Sequence, residues 1–259
     1  MGNQSRALED DWNAHWHHYA DSATQNPAQL MRHSLIAQLL AEDCGVERMR
    51  VFDFGSGQGD LLHRLDALFP EAELAAAELS ESGVAISRRK VPRARVLAAD
   101  IFNPPPTLEE FSGWATHGVC SEVLEHVDDP VAFLSCARKY MAENARLIVT
   151  VPGGPVSSFD KHIGHRQYFD RQKIGAILEQ AGYRLERTYL AGFPFFNLYR
   201  LVVIARGKRL ALDVESQGGG TFTRAAAVAM KVFRALFRAN FRDSPFGWQV
   251  VATARKSAS

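Results

Sequence analysis

Val51-Phe52-Asp53-Phe54-Gly55-Ser56-Gly57-Gln58-Gly59-Asp60 is the stretch whose reading decides the fold. A short apolar run ends in an acid, the chain passes through glycines at alternate positions, and a helix follows. Leu61, Leu62, Leu65, Leu68 and Phe69 mark that helix, because their spacing sets them on one face. A strand, a tight glycine turn and a helix N-terminus together present backbone N–H groups to a ligand that can come very close. The geometry expected is a nucleotide or nucleoside cradle.

Downstream the same grammar repeats. Leu74 to Glu78 reads as a second strand ending in an acid, and Ser80 caps a helix toward Lys90. Arg95 to Asp100 is a third strand, again closed by an acid, and His117 to Ser121 a fourth. Asp129-Pro130, a cap followed by proline at the first helical position, starts a helix expected to run through Met141. Arg146 to Val151, rich in β-branched residues, is a fifth strand. Asp170 starts a helix that buries Ile174, Ile177, Leu178 and Ala181 and stops at Gly182. Leu185 to Leu190 and Gly247 to Ala254 complete seven strands. Alternation of strands and helices predicts an α/β fold: a Rossmann-like, doubly wound parallel sheet in one domain spanning 1–259. Leu30 to Leu40 is a helix that delivers the chain to the sheet, and residues 1–45 read as a helical N-terminal arm.

A dinucleotide fold is the rival for such a turn, and three details oppose it. The glycines are spaced G-x-G-x-G, where the dinucleotide fingerprint needs G-x-G-x-x-G. Asp53, two residues before the first glycine, repels a pyrophosphate and suits a cationic ligand. No Lys-Ser/Thr follows the loop, which excludes a P-loop.

With these residues in place, the chain resembles the class I S-adenosylmethionine (SAM)-dependent methyltransferases. The likeness rests on Asp53-x-Gly55-x-Gly57-x-Gly59, on Glu78 closing the second strand and on Asp100 closing the third. Ser121-Glu122-Val123-Leu124-Glu125-His126-Val127, followed by Asp-Asp-Pro, is similar to the segment after the fourth strand in the type 11/12, ubiquinone-biosynthesis-like branch. The resemblance implies SAM as cofactor. It implies contacts from Asp53, Gly55, Ser56, Gly57 and Gly59, from Glu78 and Leu79, from Asp100 and Ile101, and from Ser121 and Glu122. In that reading Asp53 orients the methionine ammonium, Glu78 accepts both ribose hydroxyls, and Asp100 accepts from the adenine amino group.

Methyl transfer needs positioning and a dry pocket, with a base only where the nucleophile arrives protonated. His126, His162 and His165 are the candidate catalytic residues, since imidazole titrates in the useful range. His162-Ile163-Gly164-His165-Arg166-Gln167-Tyr168-Phe169 follows the fifth strand and resembles the G-H-x-x-Y/F loop of type 11/12 members. A loop histidine bonded to backbone is the competing reading. The acceptor expected is a small molecule bearing a hydroxyl; a lipid or isoprenoid quinone at a membrane surface, and a non-catalytic SAM-binding protein, are the alternatives.

Asn103-Pro104-Pro105-Pro106 is similar to the N-P-P-Y motif of amino-methylating enzymes, yet it follows the third strand, not the fourth, and lacks the aromatic. It reads as a rigid connection, and with net charge of only +1 it argues against a nucleic-acid partner.

Residues 193–246 read as a helical insertion between the sixth and seventh strands. Within 200–243 nine Lys/Arg face three Asp/Glu, although the remainder of the chain is net acidic. Thr223 to Asn240 is helical, with Arg224, Lys231, Arg234 and Arg238 along one stripe and Val228, Met230, Phe233, Leu236 and Phe237 elsewhere. Ser216 to Gly220 is a turn before it. Three readings stand: a helical cover or homodimer face, a lid over the acceptor, and a membrane-surface helix spanning 223–240.

Cys44, Cys120 and Cys136, odd in number and widely spaced, read as reduced thiols of a cytoplasmic protein, with no disulfide framework or metal site. The Trp12–Tyr19 tract carries three histidines, yet no cysteine or paired carboxylate joins it at ligand spacing, so no metal is expected there. The first eleven residues are polar, without the apolar core of a secretory signal.

Overall fold

Arg50–Phe54 forms the central strand β1, and from Val51 onward every residue of it is buried. In this computed structural model, which describes residues 26–43, 48–156, 160, 164–216 and 224–257, β1 has a parallel neighbour on each side. These are β2 (Glu73–Glu78) and β4 (Ala115–Ser121). Outside them lie β3 (Arg95–Ala98) and β5 (Met141–Pro152), also parallel. The sheet is completed by β6 (Tyr183–Ala191) and β7 (Gln249–Lys256), giving the order β3-β2-β1-β4-β5-β7-β6. The order reverses between β1 and β4, where the connections leave toward opposite faces and open a crevice at the strand ends.

Both faces of the sheet are covered. Phe52 and Phe54 point into one core with Ala75, Ala77 and Leu147, while Val51 points into the other with Leu62, Leu74 and Ala76. That alternation is the two-residue period of a strand, and it requires helices on both sides. On the first face Phe52 stacks on Tyr140, with ring centroids 5.8 Å apart, and meets Phe111 edge-on at 5.4 Å. Burying rings of this size contributes about 2–3 kcal/mol each.

The caps expected at Ser80, Asp129 and Asp170 form, and two further helix starts are set by Asn26 and Gly59. Asn26 accepts from the Ala28 amide at the start of α1 (Pro27–Ala41). Gly59, left-handed at φ +78°, precedes α2 (Asp60–Leu68), where a side chain would meet Ser87. Ser80 accepts from the Gly83 amide in α3 (Glu81–Lys90). Asp129 caps α4 (Pro130–Ala137) and Asp170 caps α5 (Arg171–Gln180).

Three expectations are corrected. The sheet is mixed: β7 runs antiparallel between β5 and β6, because the insertion returns the chain from β6 without a crossover. The helix after Asp129 ends at Ala137, not Met141. A short 3₁₀ turn follows, and Met141 opens β5 because it pairs with Ala115 and is fully buried. Leu68 does not join its helix's buried face and is 52% exposed.

The insertion contains two helices, α6 (Phe195–Ser216) and α7 (Arg224–Leu236). Phe196 and Phe237 pack with Ala28 and Met31 of α1, and Tyr199 and Phe233 close this third cluster. Residues 1–25, with the aromatic and histidine tract, lie outside the described residues, as do Cys44, His162, residues 217–220 and Thr223.

Candidate active site

At the crevice between the β1 and β4 ends lies a cavity of about 540 Å³, a volume suited to a ligand of nucleoside size. Of the cofactor residues predicted from sequence, Gly55, Gly57, Glu78, Leu79, Asp100, Ile101 and Glu122 line it. Asp53, Ser56, Gly59 and Ser121 are not part of its wall and support it from behind.

Glu78 ties two walls together. Its Oε2 accepts from the Gly57 amide at 2.8 Å, and its Oε1 accepts from the Ser80 amide and hydroxyl at 2.9 and 2.7 Å. The glycine turn therefore hangs on the acid that ends β2. Gly55, at φ +91°, turns the chain where a side chain would lie 2.5 Å from Val123 on the opposite wall, so only glycine fits there. Asp53 is almost wholly buried, and burial together with the nearby Glu78 carboxylate pushes its carboxyl up to about 7.

Asp100 organises the turn after β3. It accepts from the Phe102 amide at 2.8 Å and from Asn103 Nδ2 at 2.9 Å, an Asx turn that leads into the proline run. Phe102 and Phe133 meet edge-on at 5.8 Å, and both line the cavity. They offer an aromatic corner of the wall that sequence reasoning did not single out.

Glu122 sits in the left-handed region at φ +57°, a cost for a residue with a side chain. The surroundings hold it there. Its Oε1 accepts from Gln249 Nε2 at 2.9 Å and from Thr150 Oγ1 at 3.1 Å, and Arg32 stands 3.6 Å from Oε2. Ser121 Oγ bonds Thr150 Oγ1 at 2.8 Å, so it belongs to this network.

His126 lines the cavity, and its Nδ1 lies 3.2 Å from the Gly164 carbonyl. His165 stands behind it, the two rings edge-on with centroids 4.9 Å apart. Burial and the neighbouring His126 lower the His165 imidazole to about 4, so it is neutral at pH 7. Beside both is Glu125, fully buried. Sequence reasoning missed it as a site residue, although it shares the tight 3₁₀ turn Leu124–His126 with His126. The loop after β5 is fastened to that turn: Gln167 Nε2 donates to the Val127 carbonyl at 2.7 Å and the Arg166 amide to Glu125 at 2.8 Å. Arg166 reaches the cavity wall, also unforeseen.

Residues 15–188 match the family described as "Methyltransferase domain". The chain belongs to that family. It is a class I SAM-dependent methyltransferase, and SAM is its cofactor. The residues fit that cofactor: left-handed glycines allow close approach, and acids stand next to the last residue of β1 (Asp53), at the end of β2 (Glu78) and at the start of the turn after β3 (Asp100). Solved structures share the fold. A chain from the complex between the Haloferax volcanii Trm112 methyltransferase activator and an inferred methyltransferase superposes with TM-score 0.61 at 15% identity, over 97% of this chain and 100% of that one. An inferred sarcosine dimethylglycine methyltransferase from Galdieria sulphuraria gives 0.59 at 14% identity, over 89% and 87%. The geranyl diphosphate C-methyltransferase from Streptomyces coelicolor A3(2), in complex with Mg2+, geranyl diphosphate and S-adenosyl-L-homocysteine, gives 0.54 at 13%, over 86% and 77%. No curated protein matches the sequence.

Proposed function

We propose that this methyltransferase acts on a small molecule and that the atom methylated is a hydroxyl oxygen. The observation that carries the reading is the pairing, on one cavity wall, of the His126 imidazole and the Glu122 carboxylate beside the cofactor turn. Both groups accept hydrogen bonds, and an acceptor hydroxyl donates one. Structural neighbours named for geranyl diphosphate and phosphoethanolamine act on small molecules at carbon and nitrogen, so the choice of oxygen rests on this wall alone.

Glu78, Asp100 and the Gly55–Gly59 turn would hold the cofactor, with Leu79, Ile101 and Phe102 against its flat portion. When bound, SAM supplies an already activated methyl group. The chain's own residues then orient and exclude water. Glu122 is locked by Gln249 and Thr150 and so presents one fixed face to the cavity. His126, held by Gly164, is the imidazole placed to hold the acceptor's proton, and His165 is the reserve behind it. Arg166 supplies a positive charge at the same wall, with Asp128 2.8 Å away as its partner.

A second reading, a lipid or isoprenoid acceptor taken from a membrane surface, is favoured by one feature. Leu198, Leu201 and Val202 on α6 and Val228 and Val232 on α7 are exposed, and Lys231, Arg234 and Arg238 lie beside the latter pair. Among the described residues no helix is long and apolar enough to cross a membrane. Binding to vesicles of phosphatidylserine separates the readings: loss of the protein from the pellet even at low salt removes the membrane. Substitution of His126 by alanine tests the wall. Transfer falls by 10²-fold or more while S-adenosylhomocysteine still binds, whereas full turnover would remove the role.

A further inference from the structure

A buried ion pair joins the insertion to the loop that carries the cavity histidines. Arg200 of α6 donates from Nη1 to Asp160 Oδ1 and from Nη2 to Oδ2, each across 2.8 Å. The Asp160 side chain is 1% exposed and that of Arg200 13%, while Leu198 and Leu201 beside it on the helix face solvent. A guanidinium fork on a carboxylate fixes direction as well as distance. Apolar side chains in place of such a buried pair often cost no stability, so its ionic character suits placement better than strength.

What the pair holds is the segment 164–166. The His165 amide donates to the Asp160 carbonyl at 3.0 Å, and the Arg166 amide donates to the Glu125 carbonyl at 2.8 Å. The Gly164 carbonyl faces His126 Nδ1 at 3.2 Å. Three successive residues are thus pinned, one to Asp160 and two to the turn Leu124–His126. His126 lines the cavity, and the His165 ring packs edge-on against it. A continuous series of contacts therefore runs from α6 to the imidazole on the cavity wall.

We propose that Arg200 is a positioning residue for that wall, acting through Asp160, so that the insertion sets the place of His165 and with it of His126. Arg200 touches no reacting atom in this role. Loosening the fork lets 164–166 lift from the turn, which hydrates His165 and frees the His126 ring to rotate. The groups facing His165 are His126 and Glu125 on the turn, with Glu122, Asp160, Tyr168 and Arg200 around them. Burial is the largest influence on its imidazole, so hydration moves it up toward the ordinary 6.5. The holding of the segment stands on geometry alone; its effect on methyl transfer rests on the reading of His126 given above.

The test is amide hydrogen exchange and imidazole NMR on the full chain, in Arg200→Lys and in the neutral double variant Asp160→Asn, Arg200→Gln. Lysine keeps the charge and loses the fork. The neutral pair leaves no lone charge buried and so avoids the destabilisation that removing one partner brings. In both variants the His165 and Arg166 amides are expected to exchange at least tenfold faster, while amides of β1 and β4 keep their rates. The His165 imidazole in Arg200→Lys is expected to titrate above about 5. Methyl transfer falls at least tenfold in Arg200→Lys with S-adenosylhomocysteine affinity within threefold, and falls no further when the change is added to His126→Ala. Unchanged exchange at His165, faster exchange spread equally over the sheet, or faster exchange with undiminished transfer overturns the proposal. Absence of transfer by the wild type overturns the reading of His126 instead, and exchange still decides whether α6 holds the segment.

Discussion

The Gly57 amide donates to the Glu78 carboxylate across 2.8 Å, joining the turn after β1 to the end of β2. The cofactor wall is thus one hydrogen-bonded unit, in which an acid expected to meet ribose already organises the backbone around it.

Replacing Glu78 by alanine removes acceptors for three donors at once, two amides and a hydroxyl. Hydrogen bonds to a charged group contribute about 1.5–3 kcal/mol each, and freed donors regain some water, so the expected loss is roughly 2–4 kcal/mol. Affinity for S-adenosylhomocysteine falls more than tenfold. Thermal melts and calorimetry read the two effects separately; a stable variant with full affinity would show that Glu78 is a bystander.

Asp53 predicts a dependence on pH of the opposite kind. Its folded carboxyl lies at about 7 against an ordinary 3.8, so its contribution to stability is present below pH 3.8 and lost as pH rises through 7. Asp53→Asn therefore stabilises the cofactor-free protein by about 2 kcal/mol at pH 8, part of a ceiling near 4 kcal/mol, and has no effect at pH 4. As the proposed partner of the methionine ammonium, standing behind the cavity wall, Asp53 also predicts weaker SAM binding in the same variant. Equal melting of both proteins at pH 8 would contradict the burial argument.

His33, on α1, behaves as a buried neutral base. Burial, then Arg32 and Arg64, lower it from 6.5 to about 3. Its contribution is complete above pH 6.5 and is lost as pH falls toward 3, with a full effect of up to about 5 kcal/mol. His33→Leu should flatten the acid limb of the stability curve between pH 6 and 4, read by urea midpoints. An unchanged slope would mean that the carboxylates alone set acid unfolding.

In the insertion, Phe237, on the 3₁₀ turn that follows α7, is buried against Phe196 while Val228 on α7 is 60% exposed. Phe237→Ala should cost about 3–4 kcal/mol, and Val228→Ser less than 0.5 kcal/mol. Comparable melting temperatures for the two variants would show that the insertion is not packed on α1 as described.

Much of this was legible in the sequence because the signals are local. Strands ending in Asp53 and Glu78, a glycine turn and side-chain caps at Ser80, Asp129 and Asp170 each depend on residues a few positions apart. What escaped depends on distant partners. Ala-Arg-Lys-Tyr-Met reads as helix, yet pairing of Met141 with Ala115 makes strand. The first insertion helix reads only as part of the helical segment 193–246, without bounds of its own, since Leu198, Leu201 and Val202 are exposed while Phe196 and Val203 are buried and no single apolar face marks it. Glu125 stands in the Ser121–Val127 segment beside His126 but carries no role of its own in the sequence reading. Its burial comes from the loop after β5, which Gln167 ties down over that turn from forty positions away.

The central claim is methyl transfer to a small molecule. Its most direct test uses SAM labelled on the methyl group, the purified protein and an extract of the source cells, with the label then partitioned among organic, aqueous and macromolecular fractions. The account predicts label in a small-molecule fraction, at an oxygen, and its loss with His126→Ala. Label confined to macromolecules, or no transfer by a protein that still binds the cofactor, would contradict it.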